Sequence, residues 1–415
     1  VLVAGGVLSN LVLVPLIWLL GPRLADGILP AAATPVADMT ANQIFRTYVR
    51  FIGVGAIATA GIFGIIKSLR IVAGSFGIAM KAFRAGQAAT DERTDLDVPI
   101  VTILIGVVVA SLGAAVFFGS LEASLTVVIV GLVLTLVFSF FFASVAANAI
   151  ATVARNPVSG MTMLTIIVSS VVLLRFGLSG QSGMFFVMAI AGMVCTALSV
   201  SGQTITDLKT GYWLGSTPAA QERVKFLGIA ASALAAGLAI VMLAQAYQFG
   251  EAAPGDVRPI LAAPQASIMQ ALVQGFMSQQ PVAYALFGMG AFIAVLVELT
   301  GLPPLVFALG MYLPLELNLP ALVGGFLAHY VGKRSEQAGN AQGARMRERA
   351  VIVASGFMAG GALGGVIGAA LRLFSWYSED LIRTPFFGVD WLSQTVSTAG
   401  FVALCWYLWR EAMKK

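Results

Sequence analysis

The chain has 415 residues, 59% of them hydrophobic and only 10% charged, where a soluble domain carries roughly 25% charged residues. That balance excludes an ordinary soluble enzyme or binding module, and repeated runs of about 20 apolar residues mark an all-α polytopic membrane protein. The net charge of +5 needs no nucleic-acid partner, because the Lys and Arg residues gather in a few connecting segments, as membrane topology requires.

In chain order, the first apolar segment is Val1–Leu20, VLVAGGVLSNLVLVPLIWLL. It has neither an initiating Met nor a basic flank, which argues against a signal peptide and for a helix entered partway through a longer protein. Further crossings are predicted at Phe51–Ile66, Val98–Phe118, Leu125–Ala147, Pro157–Leu174, Met184–Val200 and Phe226–Ala244. Two or more lie between Tyr284 and Val331, and the last two are Ala350–Leu371 and Trp391–Trp409. This gives about ten to twelve spans in a single transmembrane domain over 1–415. A transmembrane barrel would need short alternating strands, and the sequence has none.

The segments between spans divide by charge. Residues 67–97, 207–225, 333–349 and 410–415 hold 16 of the 24 basic residues, whereas 21–50, 247–265 and 373–390 carry only Arg23, Arg46, Arg50, Arg258 and Arg383. The first group is therefore expected on the cytoplasmic side, with the C-terminus inside. Residues 67–90 read as an interfacial helix, with Lys67, Arg70, Lys81 and Arg84 set against Ile71, Val72, Phe76 and Met80. The stretch 333–349 is expected to be a flexible polar loop, and 247–265 an irregular external one.

An internal echo is also present. Pro15 and Pro320 lie 305 positions apart, and Gly61 and Gly64 meet Gly365 and Gly368 at an offset of 304. Each copy has a proline-broken apolar segment, a loop and a glycine-rich helix, which suggests repeat units over 1–120 and 300–415. Such repeats recur in secondary transporters, with the substrate site between them.

Three polar breaks carry the functional argument. The first is ARNPVSGMTM, from Ala154 to Met163. Asn156 before Pro157 is a helix start, since Asn caps free backbone N–H groups and Pro suits the first helical position. With Ser159 it could form a half-helix terminus suited to a carboxylate; an ordinary interfacial turn would look the same. The second break runs from Tyr284 to Tyr330, where Glu298 and Glu316 are the only charged residues. A carboxylate inside a spanning segment is costly to ionise, so both are candidate proton carriers. Glu122, in GSLEAS between two spans, reads instead as a short-loop residue.

The third break is SGQTITDLKTGYWLGSTPAAQERVKF, residues 201–226. Its DLKTGYWLGSTP block, Asp207 to Pro218, with ARNPVSGMT, FIGVGAIATAGIFGIIKSL and GMYLPLELNLPALVGG, resembles the oligopeptide transporter (OPT) family, which includes the yellow-stripe-like carriers. The resemblance runs from Val1 to about Leu371. It implies proton-coupled symport of oligopeptides or, in another branch, of metal–chelate complexes. It also implies a homodimer in a bacterial inner membrane. On this reading Asn156, Pro157, Ser159, Gln203 and Tyr212 bind substrate, Glu298 and Glu316 move the proton, and Asp207, Lys209, Thr210 and Gly211 form the family motif. Asn156-Pro157-Val158 replaces the Asn-Pro-Gly of the peptide-carrying eukaryotic branch, which fits a prokaryotic member.

Competing classes lack their signatures. There is no HExxH, GxSxG, P-loop or paired Asp-rich motif, so neither a membrane enzyme nor an ATP-driven pump is expected. Cys195 and Cys405 both lie in apolar runs and His329 is the single histidine, so no disulfide, metal site or cofactor is expected. A passive channel would share the broken helices and is separated from a carrier by whether substrate accumulates uphill.

Overall fold

The structure, a computed structural model, describes residues 1–24, 35–64, 66–67, 92–122, 124–153, 158–249, 260–261, 263–277, 284–313, 315–373 and 390–414. These residues are almost wholly helical, and seven helices are long and apolar enough to cross a membrane. The all-α polytopic architecture expected from the sequence is therefore what the chain adopts. α5 (Ile100–Leu121) and α6 (Leu125–Val153) are rich in Val, Ile and Phe, residues that favour strands in water. In hydrocarbon a backbone N–H has no solvent partner, so a helix, which bonds every group within the segment, prevails over that preference.

The chain folds as two compact units, Val1–Ile229 with Pro264–Leu315, and Ala230–Ala263 with Glu316–Lys415. In the first, the opening segment is α1 (Leu2–Val7) and α2 (Val14–Leu24), joined by a π-helical stretch at Leu8–Leu13. The next is α3 (Ala41–Ile44), capped by Thr40 and Gln43 in a reciprocal box, then a second π-helical stretch at Phe45–Val49, then α4 (50–64). α7 (Val158–Arg175) and α8 (Gly180–Leu214) follow α6, and α9 begins at Pro218 and runs to Ala246. α10 (Pro264–Met277), α11 (Tyr284–Leu299) and α12 (Pro304–Tyr312) complete the unit.

Its core forms where α6 and α7 pack on α8, and α10 packs on α7. Phe118 of α5 is fully buried with its ring centroid 4.9 Å from that of Phe186 on α8. Ser201 of α8 donates to the Ala143 carbonyl of α6 at 2.9 Å. Two further crossings bring backbone onto backbone. A Cβ on Gly310 of α12 would stand 1.8 Å from the Leu2 carbonyl oxygen of α1, and one on Gly290 of α11 would stand 1.9 Å from that of Ile52 on α4. Small residues at such crossings let helices associate by close contact where lipid provides no hydrophobic drive.

In the second unit, α13 (Leu315–Gln337), α14 (Asn340–Leu373) and α15 (Asp390–Met413) are the long elements. α14 packs on α15, with Phe357 and Tyr407 ring centroids 6.1 Å apart, and Arg372 lies 5.0 Å from the Tyr247 ring. Gln248–Phe249 and Ile260–Leu261 form a two-residue parallel ladder.

Two loop expectations are revised. The stretch 333–349 is not a flexible loop: α13 continues to Gln337 and α14 starts at Asn340, leaving a turn at Ala338–Gly339. Ser335 seals this turn by donating to the Gly343 carbonyl at 2.8 Å. Likewise α8 continues from the predicted span Met184–Val200 through Asp207 and ends only at Leu214, where Gly215 takes the left-handed conformation (φ 68°) that closes a helix. Glu122 does fall in a short connection, at the C-terminal cap of α5. The predicted interfacial helix at 67–90 lies, beyond Lys67, outside the described residues.

Candidate functional site

The irregular backbone of the first unit converges. The π-helical stretch Leu8–Leu13 packs against the π-helical stretch Phe45–Val49, and α12 lies against the former. π-helical turns arise where an extra residue is held in a helix, and they concentrate at functional sites. α12 itself is nine residues long, rising about 14 Å, less than half the hydrocarbon thickness. It stops at Tyr312, where Leu313 turns to extended backbone with ψ 138°. A helix end inside a bilayer persists only when it is surrounded by protein or lines a hydrated cavity, and Tyr312 at this end is buried.

Polar side chains mark this junction. Ser9 is buried and donates to the Gly6 carbonyl at 3.0 Å, and Asn10 donates to both Gly6 and the Ser9 hydroxyl. Arg50, partly buried, follows the second π-helical stretch directly. Its Nε donates to the Tyr312 hydroxyl at 2.8 Å and its Nη2 donates to the same oxygen. Tyr312 is 3% exposed, and the Arg50 guanidinium carbon is 4.8 Å from its ring centroid. The cation thus lies at the C-terminal end of α12, the negative end of the helix dipole.

Glu298 occupies a different level. It lies eight residues beyond Gly290 on α11, while Arg50 lies two residues before Ile52 on α4. Lys67, beyond Ile52, reaches Glu298 at 2.5 Å, so both helices run the same way from their crossing. Arg50 and Glu298 are therefore about 15 Å apart along the helix axes. Glu298 Oε1 holds Lys67, and its Oε2 is buried with no hydrogen-bond partner among the described residues.

A third polar feature is a run of hydroxyls on α7. Thr162, Thr165, Ser169 and Ser170 are all buried. Thr165 donates to the Met161 carbonyl at 3.0 Å, whereas the Ser169 and Ser170 hydroxyls find no partner among the described residues.

The motif residues on α8 form a separate cluster. Lys225 of α9 meets Asp207 at 2.9 Å and donates to Thr204 at 2.8 Å, tying the α8–α9 hairpin. Gly211 lies under the Gln221 side-chain amide, which donates to Ser216; a Cβ there would push that amide aside and break the bond. Lys209 sits 4.9 Å from the Tyr212 ring and 5.4 Å from the Trp213 ring, and both aromatics are more than two-thirds exposed. Thr210 donates to the Thr206 carbonyl, and Gln203 is exposed. No hydrogen bond or ion pair among the described residues joins Gln203 or Tyr212 to Glu298. Asn156 and Pro157 lie outside the described residues; Ser159 is in the first turn of α7 and Glu316 in that of α13.

The sequence profile of the family described as "OPT oligopeptide transporter protein" matches residues 1–372. The chain belongs to the OPT family. As an OPT member it is an integral membrane protein, and it is 29% identical over 365 residues to a Haemophilus influenzae protein whose name assigns it provisionally to oligopeptide transport. That alignment takes in 79% of this OPT chain and 57% of the relative, so the chain spans little more than half of the relative's length.

Sequence reasoning missed Arg50, Tyr312 and Lys225. Arg50 was counted with the external segment 21–50, although RTYVRFIGVG places it directly against an apolar run. The signal was its position inside the 24-residue span Ala41–Gly64.

Proposed function

We propose that the chain is the membrane part of a secondary active transporter that carries oligopeptides or peptide-like substrates together with protons. The observation that supports this reading best is the meeting of a π-helical turn and the end of α12 at Arg50 and Tyr312 in a chain of the OPT family. Helices broken by π-helical turns or ending inside the bundle give a carrier what regular rods do not: polar groups and a partly buried cation among packed helices, around which two arrangements can alternate. Glu298 is the group assigned to the proton. With one oxygen on Lys67 and the other buried, its charge is held by a single ion pair, and protonation would release that pair. Asn156, Pro157 and Ser159 remain proposed substrate contacts, and the protein works as a carrier rather than as an enzyme.

The test is uptake of a labelled tripeptide into liposomes holding the full-length protein, with and without an imposed pH gradient. Accumulation above equilibrium under the gradient supports symport. Equilibration alone points to a channel, and uptake of a ferric chelate in preference to the peptide points to metal–chelate carriage.

A further inference from the structure

We propose that Arg50, held by Tyr312, is the anchor for a carboxylate of the transported peptide, an assignment that rests on the peptide-transport reading above. Arg50 stands nine residues into the candidate span Ala41–Gly64, directly before the apolar run that begins at Phe51, and is only partly buried. An ionised side chain packed within a membrane bundle is kept only with a partner or a task. Elsewhere in the first unit the paired cations have carboxylates: Lys67 has Glu298 and Lys225 has Asp207. Arg50 has a neutral phenol, and no Asp or Glu among the described residues forms an ion pair with it.

The fork geometry says what the remaining partner is. A guanidinium offers five N–H groups along two usable edges. The side edge, Nε with Nη2, is spent on the Tyr312 hydroxyl. The end edge, Nη1 with the second hydrogen of Nη2, meets no protein acceptor among the described residues. That edge matches two carboxylate oxygens in parallel hydrogen bonds. Arg50 is only partly buried, whereas Tyr312 is closed off. Tyr312 therefore acts as a positioning residue: it fixes the plane of the fork and neutralises nothing. A role confined to the α12 dipole would need a positive charge but no particular edge.

Every zwitterionic peptide has a C-terminal carboxylate, and acidic side chains supply a second source of the same chemistry. Binding to the full-length protein in detergent, measured by calorimetry, uses three probes: trialanine, trialanine amide and Ala-Asp-Ala amide. Wild type is expected to prefer trialanine over its amide by about tenfold or more, the scale of one bidentate charged contact. Arg50→Gln removes the preference. Arg50→Lys, which keeps the charge at the end of α12 and hence the fold, retains only part of it, and Tyr312→Phe weakens it while leaving the cation in place. Recovery of affinity with Ala-Asp-Ala amide means that the site accepts any carboxylate; no recovery means that it reads the chain terminus. A wild type that binds trialanine and its amide equally, or an Arg50→Lys protein of unchanged melting temperature that keeps the full preference, overturns the assignment of Arg50 alone. A wild type that binds none of the three overturns the peptide reading and this one with it.

Discussion

Lys67 and Glu298 close an ion pair between the ends of two helices, α4 and α11, whose backbones touch at Ile52 and Gly290. Because the crossing is fixed by a glycine, the side chains beyond it are the movable part. The pair is lopsided: the Lys67 side chain is 66% exposed and that of Glu298 22%. Loss of Lys67 should therefore cost little stability, at most about 1 kcal/mol for so exposed a partner. Loss of the Glu298 charge should remove coupling. In liposomes, Glu298→Gln is expected to abolish accumulation driven by a pH gradient while leaving exchange of labelled for unlabelled substrate. Full gradient-driven accumulation by this variant would remove Glu298 from the proton path.

The glycine crossings predict a stability contrast. Gly310→Ala forces a methyl to within 1.8 Å of the Leu2 carbonyl, and the two helices must separate. Gly64→Ala adds a methyl with nothing within 4 Å. Melting temperature in detergent should fall by more than about 4 °C for the first and stay within error for the second.

The α8–α9 latch predicts coupling. Lys225 serves Asp207 and Thr204 together, so Asp207→Asn and Lys225→Met should be non-additive. A double-mutant cycle on unfolding should return a coupling of about 0.5–1 kcal/mol, towards the upper end for an ion pair of which one member is largely buried.

The orphan hydroxyls on α7 predict gains. Removing a buried donor that has no partner relieves a desolvation penalty rather than breaking a bond. Ser169→Ala and Ser170→Ala should therefore melt no lower than wild type. Thr165→Val, which deletes a made bond to Met161, should melt lower. If the serine variants also lose uptake while their melting temperature is kept, the hydroxyls face the substrate path.

How much of this was legible in the sequence depends on which force set each feature. α5 could be bounded to within three residues from hydropathy, whereas α6 starts where predicted but runs six residues past Ala147. The helix ends within 333–349 are hidden from hydropathy because charged residues read as loop, yet Ala, Glu, Lys and Arg are good helix formers outside the bilayer. Hydropathy does not mark α10, because its 14 residues, PQASIMQALVQGFM, are too short and too polar for a span. The π-helical stretches Leu8–Leu13 and Phe45–Val49 leave no trace in hydropathy, since they arise where one segment packs on the other. Glu298 could be singled out from its apolar context; its pairing with Lys67 could not, because 231 positions separate the two.

The 35 residues of α8 have a further consequence. At about 52 Å the helix outruns the acyl zone by roughly 20 Å, so it must lean steeply or protrude. Its outer stretch carries Lys209, Tyr212 and Trp213, residues that prefer the headgroup boundary. They behave as a float line, fixing how high the bundle rides, and a host bilayer a few ångströms thicker or thinner would be answered first by the pitch of this one rod.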